Sequence, residues 1–257
     1  MCLILLAWRA HPHYPLVLAA NRDEFHDRAA ASACWWRQPQ ILAGRDLQGD
    51  GTWLGVARSG RFAALTNYRD PALPQAAAPS RGELVPATLA SSATSERWLA
   101  QLARIAGRYN PFNLIFSDGE QLAVYESVAG AGRLLGPGVY ALSNHLLDTP
   151  WPKVRAAKSA LAAALTRLPD DAALLTLLRD ERQAADGQLP RTGMSLEWER
   201  LLSSAFIRAS TYGTRCSTIL LQDRHGAARF SEWTWAASGE LAGQIEHRFD
   251  LGAVIGA

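Results

Sequence analysis

Stretches that read as strands open and close this chain, and stripes that read as helices lie between them, without the regular alternation that builds a doubly wound parallel sheet. Residues 2–8, 16–20, 53–58 and 61–66 are short, apolar or alternating, with Ser59-Gly60 a hairpin turn between the last two. Residues 82–90 and 96–106 read as helices, the second placing Leu99, Leu102, Ala103 and Ala106 on one face, and 113–116, 123–127 and 139–142 return to strand. Thr149-Pro150-Trp151-Pro152 marks a helix entrance, with a capping hydroxyl on Thr149 and proline in the first turn. The stripe Val154, Ala157, Leu161, Ala164, Leu168 follows, and residues 172–178 continue the helical layer. Residues 180–195, rich in charge, glycine and proline, read as a long loop or lid, and strands at 218–222, 229–235 and 245–249 complete the chain. Two antiparallel sheets with helices packed outside accommodate this order.

With 257 residues, 48% of them hydrophobic, the chain can bury a full core, and no Pro/Gly/Ser linker divides it, so residues 1–257 are expected to form a single domain. The formal charge of +2 sets arginine against Asp and Glu, with Lys153 and Lys158 the only lysines, which is no electrostatic footprint for nucleic acid. Cys2, Cys34 and Cys216 are widely spaced and form no C-x-x-C pair, which argues against a disulfide framework or a structural zinc site and for a reducing cytoplasm. The apolar run 3–8 is far shorter than the roughly 18 residues of a membrane span, and neither signal peptide nor anchor is expected. Gly49-Asp50-Gly51-Thr52-Trp53-Leu54-Gly55 lacks the Lys-Ser/Thr of a phosphate-binding loop and reads as a tight connection into a strand.

Chemistry enters at Cys2, because a small side chain after Met1 lets an aminopeptidase expose a cysteine with a free α-amine. A thiol ordinarily titrates near 8.5 and an α-amine at about 7.7 to 8.0, so the amine can take the thiol proton without a histidine. N-terminal nucleophile (Ntn) hydrolases put nucleophile and base on one residue in this way. A thiolate more reactive than Cys34 and Cys216, which read as packed thiols, is expected.

Asn21-Arg22-Asp23-Glu24 sits at the end of the second strand, where a hairpin brings it beside the N-terminus. It is joined by Gly44-Arg45-Asp46-Leu47, the Gly51–Gly55 segment, Leu65-Thr66-Asn67-Tyr68-Arg69, Ser80-Arg81-Gly82, Leu142-Ser143-Asn144, Asp148-Thr149-Pro150-Trp151-Pro152-Lys153 and Tyr212-Gly213-Thr214-Arg215. Together these closely resemble the TANGO2 family, also called NRDE after its first motif. That family is similar to the cholylglycine hydrolase and penicillin V acylase group, which implies an α+β fold, the four-layer αββα sandwich of two antiparallel sheets.

The resemblance also implies roles. Cys2 matches the nucleophile and Asp23 the carboxylate that holds the α-amine. Asn67 and Asn144 match the amide donors of an oxyanion hole, and Arg215 the arginine that lowers the thiol pKa. Where the hydrolases carry an arginine three residues before the aspartate this chain has Ala20, and its arginine is Arg22, whose side chain alternation directs to the face opposite Asp23. An amidase or acyl transferase acting on a hydrophobic acyl amide or thioester is the first reading, and it requires no cofactor. The second is a carrier without turnover, since the family is associated with haem trafficking and with lipid and acyl-CoA homeostasis.

Arg22, Arg45, Arg69 and Arg81 are candidates to clamp the phosphates of acyl-CoA or the propionates of haem, and Trp53 to line an apolar ligand cleft. Trp35, Trp36, Trp151, Trp198, Trp233 and Trp235 read as core and rim aromatics. His11, His13 and His26 read as exposed loop histidines, with axial haem ligation the minority alternative.

Overall fold

A computed structural model describes residues 2–72 and 77–252. In chain order the strands are β1 (Cys2–Trp8), β2 (Leu16–Phe25), β3 (Ala30–Trp35), β4 (Ile41–Asp46), β5 (Leu54–Ala57), β6 (Phe62–Asn67), β7 (Phe112–Ser117), β8 (Leu122–Glu126), β9 (Ala131–Leu135), β10 (Gly138–Leu142), β11 (Tyr212–Gln222), β12 (Ala227–Trp235) and β13 (Leu241–Asp250). The α-helices are α1 (Leu84–Ala90), α2 (Ser95–Ile105), α3 (Pro152–Ala164), α4 (Ala172–Leu178) and α5 (Leu196–Leu201). They form two compact units, one running to Asp27 and taking Arg69–Ala72 and Pro137–Arg248, the other taking Arg28–Tyr68, Leu73–Gly136 and the chain from Phe249.

The first unit holds a six-stranded sheet in the order β10-β1-β2-β11-β12-β13. β1 is buried along its whole length, so it reads as a continuous apolar run rather than an alternation. On one face Leu3, Leu5, Val17, Ala19, Ile219 and Leu221 pack against Val154, Ala157, Leu161, Leu174 and Leu178 of α3 and α4. The 3- and 4-spaced stripe therefore does what the sequence predicted, each buried leucine stabilising the layer by about 1.5 to 3 kcal/mol. Pro152 begins α3 as expected, but the cap is Trp151, which makes no side-chain cap bond. Thr149 instead donates to the Leu146 carbonyl at 2.7 Å, a turn-closing bond that takes its hydroxyl away from the helix.

The second unit is a seven-stranded antiparallel meander, β3 to β9 in sequence order. Helices α1 and α2 bury Leu84, Val85, Leu89, Trp98 and Leu102 against Ala43, Leu65, Phe112, Leu114 and Phe116. Gly60, at a φ of 85°, makes the predicted hairpin between β5 and β6. The Gly49–Gly55 segment is the tight connection expected, and Gly51 is required there because a Cβ would lie 2.4 Å from the Gly82 carbonyl carbon.

Four elements were not foreseen, β3, β4, β9 and α5. β3 (AASACW) and β9 (AGRLL) are mostly exposed, carry no apolar alternation and are held by ladder pairing to β4 and β8. β2 and β11 run longer than their apolar cores, because β2 is paired on both sides, to β1 and to β11. Asn21-Arg22-Asp23-Glu24 is consequently inside a strand and not leaving one. Each unit thus contributes an antiparallel sheet with helices on it, the α+β class expected.

Candidate active site

Register brings four strand ends together. Cys2 opens β1 directly opposite Arg22 of β2, Asp23 of β2 lies opposite Thr214 at the start of β11, and Ile4 pairs with Leu142 at the end of β10. Ser143 and Asn144, just beyond β10, therefore arrive beside Cys2. The Ser143 hydroxyl is 3.1 Å from the Cys2 carbonyl oxygen and 3.3 Å from Asn144 Oδ1, sharing one proton between two acceptors.

Asn21 ties this end of the sheet to the helical layer. Its Nδ2 donates to the carbonyls of Leu178 at 2.7 Å and Ala205 at 2.8 Å. Its Oδ1 accepts from Ser217 Oγ at 2.6 Å, and that hydroxyl accepts from Trp235 Nε1 at 2.9 Å. Asp23, 1% exposed, accepts the Thr214 hydroxyl at 2.7 Å, while Tyr212 donates its own hydroxyl to the Asp23 carbonyl at 3.1 Å. Arg22 lies 4.0 Å from Glu24.

Burial dominates the electrostatics. It pushes the Cys2 thiol above its ordinary value, with the positive chain terminus and Arg22 opposing and Asp23 reinforcing. Burial thus works against a thiolate at Cys2 while Met1 is in place. Burial also raises the Asp23 carboxyl, against the positive chain terminus, Lys153, the Thr214 hydroxyl and Arg22.

Lys153, in the first turn of α3, is pushed down to about 8 by burial and then by the like charge of Arg69, with Asp23, Cys2 and Glu199 favouring its protonated form. Arg69 donates its backbone N–H to the Asn144 carbonyl at 2.7 Å and Nη1 to Glu199 Oε2 at 2.8 Å. The other Glu199 oxygen accepts from the Thr192 N–H and hydroxyl, at 3.0 and 2.6 Å. The indole of Trp151 lies 4.6 Å from the Arg69 guanidinium carbon.

The candidates from the sequence are therefore distributed as follows. Cys2, Arg22, Asp23, Asn144 and Arg69 meet in the first unit, with Arg22 and Asp23 both acting on the thiol despite their alternation along the strand. Arg215 stands in the register shift of β11 and donates Nη1 to the Phe25 carbonyl at 2.7 Å, while the arginine facing Cys2 across the ladder is Arg22. Asn67 ends β6 in the second unit. So placed too are half-buried Trp53, Arg81, which donates to the Pro111 carbonyl, and Arg45, which pairs with Asp50 on the surface. Cys34 is exposed on β3 and not packed as expected, and Cys216 is half-buried. His26 bonds the Ala209 carbonyl at 3.0 Å, and His11 Nδ1 accepts the His13 and Tyr14 N–H groups in its own turn. Met1, whose removal is expected, lies outside the described residues.

Sequence reading missed Lys153, Glu199, Thr214 and Tyr212 as parts of the site. Lys153 did carry a signal, being one of two lysines in a chain that otherwise uses arginine, inside a motif at a helix entrance. Lys153 also borders a groove of about 600 Å³ whose walls include Ala156, Ala160 and Leu177 of α3 and α4.

Two antiparallel sheets bearing helices, with a cysteine opening one strand, define an Ntn-hydrolase-like fold. The C2A mutant of a conjugated bile acid hydrolase from Clostridium perfringens superposes with a TM-score of 0.51 over 97% of this chain and 92% of that one, at 10% identity. The family model for transport and Golgi organisation 2 matches residues 1–237, and the chain belongs to this TANGO2 family. A transport and Golgi organisation protein 2 homologue from Bos taurus is 37% identical over 257 residues, 90% of this chain and 92% of the relative. The Drosophila melanogaster protein of that name is 28% identical over 264 residues, 91% of this chain and 92% of its own. Among the described residues no helix is long and apolar enough to cross a membrane.

Proposed function

We propose that the protein is an Ntn-type amidase or acyl transferase, with Cys2 as nucleophile toward a hydrophobic acyl amide or thioester. The observation that carries this reading is the convergence of Cys2, Asp23 and Asn144 at one end of the six-stranded sheet. With Met1 removed, the α-amine takes the thiol proton as sulfur attacks the acyl carbon. Asp23 holds the resulting ammonium, and Arg22 favours negative charge on sulfur. Asn144 donates its side-chain N–H to the oxyanion of the tetrahedral intermediate. Collapse breaks the bond to the leaving amine or thiol, which departs with the ammonium proton. The acyl-thioester enzyme is then opened by water, or by a second acceptor, whose proton the amine accepts, and the thiol is restored. The mechanism calls on no cofactor.

The test is release of amine or thiol from a panel of acyl amides and acyl thioesters by wild type, Cys2→Ala and Asn144→Ala. Cys2→Ala should abolish release, and Asn144→Ala should lower kcat by about 10²- to 10³-fold with KM little changed, because its donor matters mainly once charge develops. A protein that binds panel members but releases nothing is a carrier, and the catalytic reading then fails.

A further inference from the structure

Two buried cations of the first unit hold donors that nothing among the described residues accepts. Arg69 is 4% exposed and commits Nη1 to Glu199, yet Nε and Nη2 are buried without a hydrogen-bond partner. Those two nitrogens lie along one edge of the planar guanidinium, the side-on fork that matches the two oxygens of a carboxylate. Lys153 is 6% exposed, and its Nζ is likewise buried and unpartnered. Its electrostatic neighbours are Arg69, Asp23, Cys2 and Glu199, so both cations belong to the cluster around the nucleophile.

The helix end does not favour a cation at Lys153. That residue occupies the first turn of α3, where the helix dipole disfavours positive charge, and the helix has no side-chain cap there to compensate. Around Cys2, Arg22 lies 4.0 Å from Glu24 and Arg69 pairs with Glu199, while Lys153 has Asp23 as an electrostatic neighbour but no hydrogen-bond acceptor among the described residues. A buried cation whose donors lack acceptors is costly. Meanwhile Trp151 under the guanidinium and the Arg69 backbone bond to Asn144 fix the plane and position of the fork.

We propose that the Nε–Nη2 edge of Arg69 and the ammonium of Lys153 form a binding subsite for one carboxylate group of the ligand, beside Cys2. The fork takes one donor to each oxygen, and Lys153 adds a third charge-assisted bond. The assignment rests on the acyl-transfer reading and narrows it to acyl compounds that carry a free carboxylate.

The experiment uses full-length Cys2→Ala protein, so that no turnover intervenes, titrated calorimetrically with sodium hexanoate and with the neutral, similarly shaped hexanamide. Arginine Nε–H resonances are followed in parallel by NMR, with Arg69 assigned by its loss in Arg69→Met. Hexanoate should bind at least tenfold more tightly than hexanamide and shift the Arg69 Nε–H signal. Lys153→Met, which keeps the length of the side chain, should weaken hexanoate about ten- to a hundredfold, the size of one lost charge-assisted bond, and leave hexanamide unchanged, while Lys153→Arg retains binding.

Equal affinity for the two probes, or hexanoate binding indifferent to both Lys153→Met and Arg69→Met, overturns the subsite. So does an absence of hexanoate binding, which would mean that ordered water fills the donors. If Lys153→Met does not fold, the Arg69 resonance and the two probes on the parent protein still decide. Acylation of wild-type Cys2 without carboxylate preference refutes the subsite alone, and Lys153-dependent hexanoate binding without acylation refutes catalysis alone.

Discussion

Asn21→Ala should be among the most destabilising single substitutions in the first unit, although Asn21 bears none of the reacting groups. The side chain is fully buried, both its N–H groups donate, to the Leu178 and Ala205 carbonyls, and its oxygen accepts from Ser217. Leu178 ends α4, so its carbonyl is one that the helix itself leaves without a partner. Alanine strands two carbonyls and the Ser217 hydroxyl at a cost of about 1 to 3 kcal/mol per group, partly relieved by relaxation, giving about 4 kcal/mol in all. With a urea m-value of about 2 to 3 kcal/mol/M, the unfolding midpoint should fall by about 1.5 M. Asn21→Asp gives an internal control, because it keeps the shape and the Ser217 bond but turns a carboxyl oxygen toward two carbonyls. That carboxyl must hold a proton when folded, so its folded pKa lies above its unfolded one. The deficit against wild type should therefore be smallest near pH 4 and grow as pH rises. A loss below about 1 kcal/mol for Asn21→Ala in urea melts, or an Asp variant whose deficit ignores pH, refutes this account of the motif's first residue.

Glu199→Ala removes the side-chain acceptor that a buried guanidinium has among the described residues and should cost about 3 to 5 kcal/mol, most of it recovered in the Arg69→Met/Glu199→Leu double variant; equal costs for single and double variants in the same melts would contradict this. Lys153 falls from its ordinary 10.5 to about 8 when folded, so the native state binds fewer protons than the unfolded one between those values. Stability should accordingly rise with pH through that window, by about 3 kcal/mol at most, and the rise should vanish in Lys153→Met; parallel profiles would exclude it. Iodoacetamide at pH 7 should label exposed Cys34 before buried Cys2, read by peptide mass spectrometry, and a Cys2 that reacts first would show that its thiol is activated at rest.

What the sequence disclosed and withheld follows from how local each feature is. The α3 stripe and the apolar run of β1 announce themselves because one face, or both, is buried along their whole length. β3 and β9 are exposed and owe their conformation to the strands beside them, which no local pattern records. The pairing of Cys2 with the NRDE segment was legible, since a hairpin between two neighbouring apolar strands fixes it. Glu199 was not, because its link to Arg69 spans 130 residues and leaves no trace in spacing. The place of Arg215 was not legible either, since it stands at a shift of register in β11 between Thr214 and Cys216 that no local pattern records.

The most direct measurement is the mass of the N-terminal peptide after rapid quenching of untagged wild-type protein with decanoyl-p-nitroanilide or decanoyl-CoA. An Ntn acyl transferase should yield a peptide that begins at Cys2 and carries one decanoyl group on sulfur, formed no more slowly than product and absent in Cys2→Ala. A peptide that retains Met1, or one that stays unmodified while product accumulates, would contradict Cys2 as the nucleophile.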